Sequence, residues 1–72
     1  MTFKITYATD SLDPNPTIKT FKQEWEAIDW LNEEKGRRID FIVSHSPYTI
    51  SEEELETITE TEGTLCIIER IE

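Results

Sequence analysis

The chain of 72 residues has length for one small domain, residues 1–72, and none for a large enzyme. Sixteen acidic side chains against seven basic ones give a formal charge of -9, so Coulomb repulsion opposes direct binding to a phosphate backbone or an anionic membrane. One cysteine excludes an intramolecular disulfide, and one cysteine with one histidine is too few ligands for the usual zinc sets.

Residues 2–7 alternate, with Phe3, Ile5 and Tyr7 on one side and Lys4 and Thr6 on the other, which is the period of a half-buried strand. Residues 8–16 are rich in turn formers, among them Asp10, Asp13, Pro14, Asn15 and Pro16, and read as a loop. Residues 17–21 return as a short second strand with Ile18 as its core candidate. Thr20 followed by Gln23 fits a capping box, and helix formers continue to Lys35, with Gly36 placed to stop the helix. On a wheel of about 100° per residue, Ala27, Ile28 and Leu31 gather on one side, opposite Lys22, Glu26, Asp29 and Glu33.

Residues 38–44 alternate again and predict a third strand, with Ile39, Phe41 and Val43 inward. Ser51 and Glu54 form a second capping box, flanked by Ile50 and Leu55 as a hydrophobic staple, and predict a second, acidic helix. The alternative is a hairpin turning at Glu62 and Gly63, because Thr57, Thr59 and Thr61 favour extended backbone. Residues 64–71 read as a last strand, apolar on both faces and therefore interior to the sheet.

The expected fold class is α+β: a sheet of three to four strands, one main helix on one face, and a short acidic helix or hairpin before the last strand. That order, ββαβ(α)β, resembles β-grasp domains in layout only, and no diagnostic family motif accompanies it.

Functional expectations centre on residues 51–62, which hold Glu52, Glu53, Glu54, Glu56, Glu60 and Glu62 without a cation. On a helix Glu52, Glu56 and Glu60 recur about 6 Å apart as a stripe whose self-repulsion costs a few tenths of a kcal/mol per pair. Such a face suits a basic surface on a protein partner, in the strongest form as a nucleic-acid mimic, although about one charge per 3 Å of helix is sparser than the one per about 1.7 Å of duplex DNA. A solvated face that keeps a small protein soluble is the plain alternative.

Trp25 and Trp30 lie about 140° apart on a helix, so one narrow stripe cannot bury both. Trp30 is the expected anchor, because Trp25 can pair with Phe21 one turn earlier, and Tyr48 in the second loop is a further anchor. Lys35, Arg37 and Arg38 form the basic cluster expected at the helix C-terminus, or a patch for a second copy of the chain.

His45 as a base, with Ser44, Ser46 or Cys66 as nucleophile, is the material for an enzyme, but two glycines leave little for an oxyanion or phosphate cradle. The expectation is no catalytic residue, no cofactor and no metal, with Asp10, Asp13 and Asn15 serving a turn. The function expected is a small cytoplasmic protein-binding module, an inhibitor or modulator, using Glu52, Glu53, Glu56, Glu60, Glu62, Trp30 and Tyr48. A self-associating scaffold, as a homodimer, is the rival, and a small enzyme or metal binder the third reading.

Overall fold

The computed structural model describes residues 1–71. Its elements run β1 (Thr2–Tyr7), β2 (Thr17–Phe21), α1 (Glu24–Ser44), α2 (Glu52–Thr64) and β3 (Cys66–Ile71), an α+β arrangement in the order ββααβ. The sheet order is β2-β1-β3, with both pairings antiparallel.

Strand β1 carries the alternation through into burial, with Phe3, Ile5 and Tyr7 buried and Thr2, Lys4 and Thr6 half-buried on the other face. Opposite residues in an antiparallel pair share a face. The register therefore puts Phe21 and Ile68 beside Phe3 and Ile5 under the helices. Ala27 and Leu31 of α1 close over them to make the core, with Phe21, Trp30, Leu65 and Cys66 packed around its edge.

The expected third strand is not formed, because residues 38–44 continue α1 as helix. Two features of the residues explain it. Gly36 has no positive φ, so it adopts ordinary helical backbone at a cost of about 1 kcal/mol relative to Ala rather than ending the helix. Continued at about 100° per residue, the buried stripe of Ala27 and Leu31 passes through Arg38 and Ile42, which gives Arg38 a place over β1 that a strand would not. The β-branched alternation at 39–43 is a local preference, and it is outweighed by that long-range placement.

Other expectations change with it. The first helix begins after Gln23, whose side chain makes no capping bond, so the Thr20–Gln23 box is not the cap. The last strand lies at an edge and β1 is central, so Ile67 and Ile71 are exposed rather than interior. A β-grasp needs a mixed sheet, and the described strands are all antiparallel.

Residues 52–64 take the helical alternative. The cap is as expected: the Ser51 Oγ accepts from the Glu54 N–H at 3.2 Å and donates to the Glu54 carboxylate at 3.3 Å. The threonines are accommodated by back-bonding, Thr57 to the Glu53 carbonyl at 3.1 Å, Thr59 to Leu55 at 2.8 Å and Thr61 to Thr57 at 2.8 Å.

A 21-residue α1 is about 32 Å long, whereas six-residue strands reach only about 20 Å. The helix therefore overhangs the sheet, and its last turns pair with α2 to form a helical hairpin that contributes to a longest dimension of 45 Å. No helix among the described residues is long and apolar enough to cross a membrane.

Candidate functional site

The wheel of α2 separates its glutamates into two groups. Relative to Glu52, the side chains of Glu56, Glu60 and Glu53 fall at about 40°, 80° and 100°, whereas Leu55, Ile58 and Glu62 fall at about 300°, 240° and 280°. Glu52, Glu53, Glu56 and Glu60 are exposed on the first side. Among the described residues none of these four enters an ion pair, since the salt bridges present use Glu33, Glu34 and Glu62. Their proximity to the helix N-terminus, where unpaired N–H groups carry partial positive charge, offsets part of the self-repulsion for Glu52 and Glu53.

Glu62 belongs to the second side and is only 4% exposed, so it is removed from the accessible acidic face that the sequence suggested. Its carboxylate accepts a 2.6 Å hydrogen bond from the Tyr7 hydroxyl and a 3.2 Å charged contact from Arg38 Nε. Arg38 in turn lies 4.1 Å from the centre of the Tyr7 ring and donates to the carbonyls of Ala8 at 2.6 Å and Thr9 at 3.2 Å. Burial first, then the bond to the Glu62 carboxylate and its charge, push the Tyr7 phenol far above its ordinary range, with Arg38 opposing. This cluster ties β1, the following loop, α1 and α2 together. The signal for it was present in the spacing, since Glu62 stands four residues after Ile58 and seven after Leu55, but it is visible only once 52–64 is read as a helix.

The two arginines of the basic cluster have partners within the chain. Arg37 pairs along α1 with Glu34 at 2.6 Å and Glu33 at 3.4 Å, both exposed pairs of small energetic weight. Arg38 belongs to the buried cluster, and neither arginine marks a helix end.

The two tryptophans exchange the places expected of them relative to Phe21. Trp30 packs at the core margin with its ring 6.1 Å from Phe21, while Trp25 is 64% exposed. Ile28 is exposed, and the inward direction through Ala27 and Leu31 leaves Trp25 about 140° away.

Tyr48 is 61% exposed in the connection between α1 and α2, where the Ser46 hydroxyl accepts from its N–H and donates to its carbonyl. Hydrogen bonding to the neighbouring Glu54 carboxylate, followed by that carboxylate's charge, raises its phenol above the ordinary value. Beside it lies a groove of about 530 Å³ between the end of α1, the connection and α2, lined by Ile42, Pro47, Tyr48, Ile50, Ile58 and the acidic pair Glu53 and Glu54.

Two other sequence features resolve into local structure. His45 is the C-cap of α1: its ring stacks on Phe41 at 4.0 Å, and its Nδ1 lies 2.9 Å from the Phe41 carbonyl, to which the Ser44 hydroxyl also donates. In the first loop the Asp13 carboxylate accepts from the Thr9 N–H and hydroxyl and from the Asn15 N–H, and Asp10 accepts from the Leu12 N–H. The backbone bonds from Thr9 and Asn15 hold Asp13 below the ordinary carboxylate range, so these carboxylates serve the turn. Comparison of the chain with protein-family models, with curated proteins and with solved structures finds no match in any of the three.

Proposed function

We propose that this protein is a non-enzymatic binding module, an inhibitor or modulator, that presents Glu52, Glu53, Glu56 and Glu60 to a basic surface of a larger protein. The observation that carries the reading is that these four carboxylates share one exposed side of α2 and pair with no cation of the chain among the described residues. A carboxylate row of that kind, backed by a net charge of -9, steers a cationic partner and raises the encounter rate. Dissociation is then slowed by an exposed aromatic, Tyr48 or Trp25. Glu62 and Trp30 leave this set, because the fold uses both.

A partner surface that ordinarily holds nucleic acid satisfies the same charge requirement. Replacing Glu52, Glu56 and Glu60 together by Gln tests the reading: the fold is expected to persist, and a basic protein retained by wild type from lysate is expected to be lost. The dependence on salt is expected to be steep, since exposed charges are screened within about 10 Å at 0.1 M. Retention of the same proteins by the variant refutes the charged-face reading.

Self-association is the second reading, favoured by the place of β3 at a sheet edge with Ile67 and Ile71 exposed. The Arg37 and Arg38 patch lends it no support, because both side chains have partners within the chain. Sedimentation separates the two, as a stable dimer that covers α2 is incompatible with the first.

A further inference from the structure

The overhang of α1 leaves apolar side chains with no sheet beneath them: Phe41 is 62% exposed, and Ile42 and Val43 are exposed beside it. Ile42 forms one wall of the groove of about 530 Å³, a volume within the range of sites that take a small ligand or an anchoring side chain. Ile58 lines it from α2 and Pro47 and Tyr48 from the connection, while Glu53 and Glu54 provide its charge. Among the described residues no Lys or Arg lines it. A largely apolar lining that includes two carboxylates is complementary to an apolar side chain flanked by cations. A second copy that met it through its own α2 would bring further glutamates against Glu53 and Glu54.

We propose that this groove receives an apolar anchor residue carried on a Lys- or Arg-rich amphipathic segment of the protein partner. The inference rests on the reading of α2 as a face for a basic surface and adds to it a pocket one side further round the helix: Glu53 belongs to both the exposed row and the groove. Steering by Glu52, Glu56 and Glu60 and anchoring between Ile42 and Ile58 are then separable steps, the first sensitive to salt and the second to the apolar side chain.

The test uses the full chain and two synthetic peptides of equal charge, one an amphipathic helix of Lys and Leu and the other the same peptide with every Leu replaced by Ser. Affinity is read from peptide fluorescence anisotropy, and the site from amide chemical shifts. The Lys/Leu peptide is expected to bind at least about tenfold more tightly, the scale of one buried aliphatic side chain. Shifts should fall on Ile42, Tyr48 and Ile58. Tyr48→Ala, at an exposed position outside the core, and Ile42→Glu, which places a charge in the groove wall, are each expected to shrink that preference while circular dichroism remains that of wild type.

Equal affinity for the two peptides, with shifts confined to Glu52, Glu56 and Glu60, overturns the groove and leaves the acidic face standing. A Lys/Leu preference that persists unchanged in the triple Gln variant and in high salt overturns the acidic face instead. Absence of binding by either peptide overturns both.

Discussion

Replacing Glu62 by Ala removes one carboxylate from the bottom of α2, and the structure makes this the most destabilising change among its glutamates. Two partners lose their acceptor, the Tyr7 hydroxyl at 2.6 Å and the Arg38 Nε at 3.2 Å. Breaking a buried ion pair from one side costs about 3–5 kcal/mol when the remaining charge has no other recourse. Arg38 does have recourse, since it keeps the Ala8 and Thr9 carbonyls and the Tyr7 ring and its side chain is 23% exposed. The loss of a charged hydrogen bond to Tyr7 adds about 1.5–3 kcal/mol in a fully buried setting. Together, with the relief at Arg38 taken into account, the expected loss is about 2–4 kcal/mol. A domain of this size has only about 4–11 kcal/mol in total, and each kcal/mol moves the melting temperature by about 4–8 °C.

The assay is urea and thermal unfolding followed by circular dichroism, with Glu60→Ala as the control on the exposed side of the same helix. The control is expected within about 0.5 kcal/mol of wild type. A double-mutant cycle with Arg38→Met isolates the pairwise part, expected at about 1–3 kcal/mol for groups in direct contact. Equal stability of the Glu62 and Glu60 variants would refute the assignment of Glu62 to the core and return it to the acidic face.

The remaining predictions concern backbone, aromatics and pH. Gly36→Ala is expected to stabilise by about 0.5–1 kcal/mol, because an added Cβ meets nothing within 4 Å and the helix runs through the position; destabilisation in a urea melt would mean that the helix stops there. Trp30→Ala is expected to cost about 1–3 kcal/mol, below the 3–5 of a fully buried ring because Trp30 sits at the core margin, while Trp25→Ala should fall within about 0.5 kcal/mol of wild type; reversed effects in the same melt would exchange the two roles.

Alkaline stability should depend on Tyr7. Its phenol is raised in the folded state, so the contribution is fully present below the ordinary phenol value near 10 and declines above it, where the unfolded chain releases the proton and the folded chain retains it. Tyr7→Phe, though less stable at neutral pH, is expected to show a shallower loss between pH 9 and pH 11. Tyr48 is raised as well and contributes with the same sign, so Tyr48→Phe serves as the comparison. An undiminished alkaline slope in Tyr7→Phe would show that the phenol ionises freely in the folded protein.

The sequence by itself determined the elements whose signals are local. Alternation at Phe3, Ile5 and Tyr7 specified β1, because period two leaves one buried face. Ser51 and Glu54 specified the start of α2, because a cap is made within one turn. The stripe of Glu52, Glu56 and Glu60 was legible as well, since residues four apart on a helix share a side.

Tertiary structure decided the rest. Residues 38–44 satisfy the strand pattern locally, and only the contact of Arg38 with Glu62 and Tyr7, two residues distant in sequence, shows what a continuous helix places over β1. The same contact separates Glu62 from the glutamates that precede it, a distinction invisible in a run of like charges. Trp25 and Trp30 are chemically identical, and which one is covered followed from the side of α1 that faces the core through Ala27 and Leu31. Periodicity reports which side chains share a side of an element, whereas the choice of the side that is buried belongs to the partners that close over it.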